Sequence, residues 1–244
     1  MRTETATWVD VERKLAEGNA VALLPVGAQE QHGPHLALAT DTIMATGFAE
    51  RLAAELDALL LPALPYGETW TTAGWKGTIS ISFNTLVALV TDIGAALAAQ
   101  KVTALILVNG HFGNSAPLEQ AARTLITQHN LPTMILNYPG IEQAAAAVCA
   151  STPAAPGFYH ADEVETSVVL ALRPDAVQME HAQPEYPQFP PTFGATPLRL
   201  DTFNQSGVFG DPRSATAAKG EQLLQLLTAS ALPVIKAFLD AQHG

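Results

Sequence analysis

Short apolar runs alternate with longer amphipathic segments along most of the chain. The apolar runs have the length and content of buried strands, and the clearest of them, ALILV at residues 104–108, contains no polar side chain. We therefore expect strands at residues 21–26, 59–64, 78–83, 104–108 and 133–136.

Between these runs, apolar residues recur with the period of an α-helix, most clearly in residues 41–56. Small polar residues precede several of these segments and suit N-cap positions. Three helices are predicted to begin at an N-cap: Thr7 to about residue 18, Asn84 to Gln100, and Ser214 to about Ala241. The other predicted helices cover residues 41–56, about 116–129, 144–150 and 164–172.

Strands that alternate with helices predict an α/β fold with a mostly parallel sheet covered on both faces. The chain has no internal repeat, and its proline-rich stretch at residues 181–197 is predicted to be irregular rather than a linker. We therefore expect a single domain over residues 1–244.

The composition limits the kinds of molecule that the protein is expected to bind. Twelve Lys and Arg against 23 Asp and Glu give a formal charge of -11, which disfavours nucleic acid and anionic membranes as partners. The single Cys149 excludes an internal disulfide and a cysteine-based zinc site. Because the N-terminus lacks a signal-peptide pattern and no apolar run reaches the length of a bilayer span, we expect a cytoplasmic protein.

The segment GAQEQHGPHLALATD follows the first predicted strand and carries candidate metal ligands. Glu30 and His32 are two residues apart, so an extended chain directs both side chains to the same side. Asp41 opens the next predicted helix, where the helix dipole favours a carboxylate. These oxygen and nitrogen donors suit Zn²⁺, Mn²⁺ or Fe²⁺. The alternative is that Asp41 only caps the helix and that the other two are polar loop residues.

Two further clusters carry candidate residues for the same metal site. His111 follows the strand at 104–108, so it would meet the first cluster at the same edge of a parallel sheet. The segment HADEVETS carries His160, Glu163 and Glu165 at the start of a predicted helix. A carboxylate buried there beside valines needs a cation or a hydrogen-bond donor, although first-turn carboxylates are also ordinary dipole partners. By contrast, His129, His181 and His243 are expected at the surface.

These motifs resemble those of the creatininase (creatinine amidohydrolase) family. GAQEQHGPHLALATD, NGHFGN, HADEVETS and GVFGDPRSAT occur in the family's order over roughly residues 5–230. The resemblance implies a three-layer αβα sandwich, a site for two divalent metal ions and a homohexamer. Zn²⁺ is the expected metal, with Mn²⁺ or Fe²⁺ as alternatives.

Carried over residue by residue, the resemblance gives Glu30 and His111 to one metal and His32 to the other, with Asp41 as the bridge. The family's creatininase has a glutamate ligand two residues after the equivalent of His111, where this chain has Gly113. The resemblance offers Glu163 as the substitute.

The same resemblance gives His160 a role in proton transfer and places Glu165 beside the site. We expect Glu165 to be a second catalytic residue, which orients His160 or shuttles the proton. Where the family often has a histidine before a Phe-Pro-Gly-Thr element, this chain has only Thr71 and Thr72. The tryptophans that enclose creatinine have no secure counterparts, so creatinine is not the leading substrate.

The resulting hypothesis is a metal-dependent amidohydrolase that uses a metal-activated water to cleave a C–N bond in a small amide, most simply a lactam, imide or hydantoin-like ring. The alternatives are a formamide deformylase, a short-peptide or lactone hydrolase, a lyase or isomerase with the same ligands, and a non-catalytic metal-binding or ligand-binding protein.

Overall fold

Four parallel strands form the central sheet in the computed structural model, which describes residues 1–242. The strands are β1 (Val21–Val26), β2 (Leu59–Leu60), β3 (Ala104–Asn109) and β4 (Thr133–Leu136), in the order β2-β1-β3-β4. Val26 pairs with Asn109, so β1 and β3 end at the same level of the sheet. Their carboxyl ends therefore open onto one shared edge.

Within residues 1–242, seven α-helices surround this sheet. They are α1 (Trp8–Leu15), α2 (Thr40–Leu56), α3 (Phe83–Ala99), α4 (Ser115–His129), α5 (Ile141–Val148), α6 (Glu163–Leu172) and α7 (Ala217–Asp240).

The sheet is covered on both faces because successive strand residues point to opposite sides. Leu23 and Ile106 pack into a cluster with residues of α2, α5, α6 and α7. Leu24 and Leu107 pack into a second cluster with residues of α3 and α4. The expected α/β fold with helices on both sides of a parallel sheet is therefore confirmed.

The predicted strand at residues 78–83 is wrong. Ile79 N–H donates to Gln29 and Ile81 N–H donates to Gly67, so the segment bonds two separate loops instead of one strand. The strand expected at 59–64 is regular only over β2, with one further bridge between Val26 and Leu64.

Two predicted N-caps are also wrong, because a nearby hydroxyl takes the role. Ser82 caps α3 by accepting the N–H of Thr85, so the helix begins before Asn84. Thr216 caps α7, whereas Ser214 ends a short 3₁₀ turn.

The remaining helix predictions differ mainly at their ends. Thr7 caps α1 as expected, in a reciprocal arrangement with Asp10, but the helix ends earlier than predicted, at Leu15. The helix expected at 144–150 is α5 and begins at Ile141. His181 is exposed and His129 half-buried, whereas His243 lies outside the described residues.

One helix, α7, is long and apolar enough to cross a membrane by length and composition. Helices of a soluble core pass the same test, and Leu223, Leu224 and Leu227 lie in the hydrophobic cluster shared with α2 and α6. The helix is thus weak evidence for a membrane span.

Candidate metal centre

Six polar side chains that the sequence singles out lie together at the carboxyl edge of the sheet. The loop after β1 supplies Glu30 and His32, and the first turn of α2 supplies Asp41. The segment after β3 supplies His111. His160 and Glu165 come from the start of the α6 region, and all six are buried.

Asp41 lies between the two histidines expected to bind metal. Its Oδ1 is 3.1 Å from Nε2 of His32, and its Oδ2 is 3.4 Å from Nδ1 of His111. The same Nδ1 is 2.8 Å from Oε2 of Glu30. Each carboxylate oxygen of Asp41 therefore faces a different histidine, as a bridging ligand requires.

Within residues 1–242, the side chains form three overlapping groups of candidate ligands, two of which share Asp41. These two groups are Glu30, Asp41 and His111, and His32, Asp41 and Glu165, and the third contains Glu30, His32 and His160. Within each group, the potential ligand atoms lie within 4.8 Å of one another. The donors are carboxylate oxygens and imidazole nitrogens, the set that Zn²⁺ and Mn²⁺ accept.

Backbone carbonyls fix the ring orientation of both histidines. Nδ1–H of His32 donates to the carbonyl of Glu30 at 3.2 Å, and Nε2–H of His111 donates to the carbonyl of Glu68 at 2.8 Å. A carbonyl can only accept, so the lone pairs of the neutral rings lie on His32 Nε2 and His111 Nδ1. Both lone pairs face the carboxylates, which is the orientation of metal-binding histidines.

Apart from its own histidines, the cluster has no positive partner within residues 1–242. Oε2 of Glu30, Nε2 of His32 and Oδ2 of Asp41 are buried and make no hydrogen bond there. No lysine or arginine of the described chain pairs with Glu30, Asp41 or Glu165. Buried carboxylates without a cation are costly. The residues present therefore fit divalent metal ions.

The pKa values show the same demand for positive charge. Burial alone lowers the pKa of His32, but the charges of Asp41 and Glu165 raise it to about 10. Burial also lowers the pKa of His111, but the charge of Glu30 raises it to about 9. Burial raises the pKa of Glu165 to about 8, although His32 opposes the change.

Thr72 is a site residue whose role the sequence motifs do not indicate. Its hydroxyl donates to Oε1 of Glu30 at 2.5 Å. This bond fixes the carboxylate and leaves Oε2 directed at His111. A threonine in a glycine-rich loop gives no signal of this role, because the contact joins residues 42 apart in sequence.

Glu163 lies outside the cluster, contrary to its expected role as the substitute ligand. Its carboxylate accepts the N–H groups of Ala150 and Ser151, the latter at 2.7 Å, and pairs with Lys219. These donors hold the pKa of Glu163 below its usual value even though burial acts in the opposite direction. Glu165 is instead the α6 carboxylate that faces His32, at 3.6 Å.

Comparison with known proteins matches nearly the whole chain to one family. The family model described as "Creatininase: Creatinine amidohydrolase" matches residues 4–235. This chain belongs to the creatininase family. The match confirms the resemblance that the sequence motifs carry.

The relatives of this chain include enzymes that are named for different substrates. Creatinine amidohydrolase of Pseudomonas putida is 29% identical, over 90% of both chains. The mycofactocin precursor peptide peptidase of Mycolicibacterium smegmatis is 31% identical, over 95% of this chain and 91% of the relative. Both relatives are hydrolases.

Solved creatininase structures superimpose closely on the chain. A creatininase variant gives a TM-score of 0.87 at 27% identity, over 98% of both chains. Creatininase in a manganese form gives 0.85 at 26% identity, over 97% of both chains, and another variant is of a Zn-Zn type. Divalent metals are thus a property of these structural relatives.

The creatininase-family protein has no room for a ligand at Gly113. A Cβ atom there would lie 2.4 Å from the carbonyl oxygen of Glu68 and 2.5 Å from Nε2 of His111. The Glu68 carbonyl is the group that orients His111. The glycine therefore permits this close approach, and the carboxylate for the second group comes from α6.

A cleft of about 280 Å³ opens onto the cluster. A smaller cavity of about 180 Å³ adjoins it and shares His111 and Glu165 as lining residues. Among the described residues, no lysine or arginine lines either cavity. The larger cleft has mainly apolar walls, which include Phe112, Phe158, Tyr159, Phe193, Leu198 and Leu200.

Tyr138 is one of the residues that line the smaller cavity. It follows β4 with a φ of 43°, a left-handed conformation that is rare for a bulky residue. The hydroxyl is buried and has no hydrogen-bond partner within residues 1–242. Burial and the charges of Asp41 and Glu165 raise its pKa well above the usual value. It is thus a neutral donor beside the cluster.

Proposed function

We propose that this creatininase-family protein is a metal-dependent amidohydrolase that cleaves a C–N bond of a small, neutral amide. The observation that carries the proposal is the pair of ligand groups that share Asp41, with buried donor atoms left unpaired among the described residues. A cyclic amide such as a lactam, imide or hydantoin-like ring is the first substrate class to test.

The proposed ligands of one ion are Glu30, Asp41 and His111, and those of the other are His32, Asp41 and Glu165. Two divalent ions, first Zn²⁺ and alternatively Mn²⁺ or Fe²⁺, would supply Lewis acidity, which lowers the pKa of water and polarises a carbonyl. His160 lines the same cleft and offers a ring nitrogen to the substrate.

The walls of the cleft support a neutral substrate with an apolar group. Aromatic and aliphatic side chains form most of the lining, and no basic residue of the described chain would bind a phosphate or a carboxylate there.

Hydrolysis of a short peptide is the second candidate. The two adjoining cavities share the metal-binding side chains His111 and Glu165, so a linear substrate has space on both sides of the cluster. Mycofactocin precursor peptide peptidases are also among the relatives, at 31% to 34% identity.

Activity against a matched panel tests the proposal. Purified protein with Zn²⁺ or Mn²⁺ is assayed on lactams, hydantoins, formamides, dipeptides and lactones, with Asp41→Ala as the metal-site control. Hydrolysis that is lost together with bound metal in the variant is the expected result. Full activity in metal-free Asp41→Ala protein would refute the mechanism.

Two measurements separate the other function classes. Elemental analysis that finds two ions per chain supports the hydrolase, whereas none or one weakly bound ion supports a non-catalytic binding protein. Incorporation of ¹⁸O from solvent into the product distinguishes hydrolysis from a lyase or isomerase reaction.

We further propose a cytoplasmic homohexamer with neither nucleic-acid nor membrane partners. Exposed apolar side chains on α7, including Leu226 and Val234, support an association surface. Light scattering coupled to size-exclusion chromatography tests this, and a stable monomer would contradict it.

A further inference from the structure

Gln31 lies between two proposed metal ligands, but its side chain is bonded elsewhere. Its Oε1 accepts the N–H of Gly33 at 2.9 Å, and its Nε2 donates to the carbonyl of Gly207 at 3.3 Å. A backbone N–H can only donate and a carbonyl can only accept. These two contacts therefore settle which end of the amide is oxygen and which is nitrogen.

The second proton of this amide is directed at His160. Nε2 of Gln31 lies 2.8 Å from Nε2 of the histidine. Because the amide nitrogen has no lone pair to offer, Nε2 of His160 must be the acceptor. The proton of the neutral imidazole consequently resides on Nδ1.

The surroundings hold this ring in place. His160 lies with its ring centroid 4.4 Å from that of His32 and 5.7 Å from that of Phe209. Its backbone carbonyl also accepts the N–H of Phe209. Within residues 1–242, Nδ1 makes no hydrogen bond, and the ring lines the larger cleft.

We infer that Gln31 is a positioning residue, which holds Nε2 of His160 as a hydrogen-bond acceptor so that the neutral ring presents Nδ1–H to the substrate. The inference rests on the proposed function, since it assigns the side of His160 that an amide substrate meets. It also specifies what His160 does first, which is to donate a hydrogen bond from a neutral ring.

The tautomer of His160 can be measured without any substrate. Nitrogen NMR of ¹⁵N-histidine-labelled protein, metal-free and Zn²⁺-loaded, distinguishes protonated from unprotonated ring nitrogens, and His160→Ala assigns the signal. The wild-type protein is expected to carry the proton on Nδ1. A proton on Nε2 in the wild type would overturn the inference.

Two substitutions change the hydrogen bond in different ways. Gln31→Glu replaces the donor with a carboxylate, so the His160 proton should move to Nε2. Gln31→Met removes the polar contact at similar length, so both tautomers should appear. Gln29→Glu is the matched control, because within residues 1–242 the side chain of this nearby glutamine bonds only to the carbonyl of Gly77. An unchanged tautomer in both Gln31 variants would contradict the inference.

Kinetics test whether the effect acts through His160. Gln31→Met should lower kcat about 10- to 100-fold, the usual cost of losing a supporting hydrogen bond, with KM and metal content nearly unchanged. In the His160→Ala background, the same substitution should cause no further loss. Additive losses would show that Gln31 acts independently of His160.

The proposed function and the positioning role of Gln31 can be refuted independently. If no amide is hydrolysed but the NMR shows the expected tautomers, the proposed function fails and the placement of His160 stands. If amides are hydrolysed and the tautomer does not respond to Gln31, only the positioning role fails.

Discussion

Glu163 and Glu165 lie two residues apart in the first turn of α6, and their carboxylates have different partners. Glu165 faces His32, whereas Glu163 pairs with Lys219. Glu165→Gln should therefore weaken binding of one metal ion by at least about tenfold. Elemental analysis after dialysis should find fewer ions per chain than in the wild type.

Glu163→Gln is the matched control for this prediction. It should retain the wild-type metal content but lose about 1–3 kcal/mol of stability, because Lys219 and two backbone N–H groups lose a charged acceptor. Metal loss in Glu163→Gln with normal metal content in Glu165→Gln would reverse the assignment.

Gly113→Glu provides a second prediction at the residue scale. The resemblance to creatininase implies a glutamate ligand at this position, so the substitution introduces a carboxylate there. It should nevertheless reduce metal binding, because the new Cβ would clash with the Glu68 carbonyl that orients His111. A measured gain in metal affinity would contradict the steric argument.

The sequence predicts part of the candidate site because simple geometry governs that part. The spacing of two places Glu30 and His32 on one side of an extended chain, and the strand ends bring His111 to the same edge. The choice between Glu163 and Glu165 depends on the rotation of α6 about its axis. Packing against α7 sets that rotation, and local sequence does not encode it.

At the level of elements, close packing of α6 against α7 positions Glu165. A Cβ atom on Gly220 would lie 1.9 Å from the carbonyl oxygen of Ser167. Gly220→Ala should therefore separate the two helices and destabilise the protein by about 1–3 kcal/mol, as overpacking usually does. Thermal unfolding should show a midpoint several degrees below that of the wild type.

The control for this substitution is Gln222→Ala, on an exposed position of the same helix. Its midpoint should remain close to that of the wild type. If Gly220→Ala unfolds at the same temperature as the control, tight contact between α6 and α7 is not required.

The elements differ in how well the sequence predicts them. Residues 133–136 form β4, as the apolar run in this segment predicts. Residues 78–83 have the alternation of a strand, but their N–H groups bond two different loops. Alternation reports which side chains are apolar and does not reveal whether a neighbouring strand is available.

For the whole molecule, the formal charge of -11 includes carboxylates that are not at the surface. Glu30, Asp41 and Glu165 are buried at one edge of the sheet, with two histidines as their nearest ionisable partners. Burial of these carboxylates opposes folding of the metal-free chain, and divalent ions would offset that cost. The stability of the fold should thus depend on metal.

Metal removal tests this dependence directly. A ligand present at about 100 times its Kd stabilises the native state by about 2.7 kcal/mol, which corresponds to about 5–11 °C in Tm for a chain of this size. Chelated protein should unfold at a correspondingly lower temperature than protein with Zn²⁺ or Mn²⁺.

Asp41→Asn supplies the control, because it removes one buried charge and the shared ligand together. The metal-free variant should unfold above the metal-free wild type and should gain little when Zn²⁺ is added. An equal gain in both proteins would show that the stabilising ion binds elsewhere.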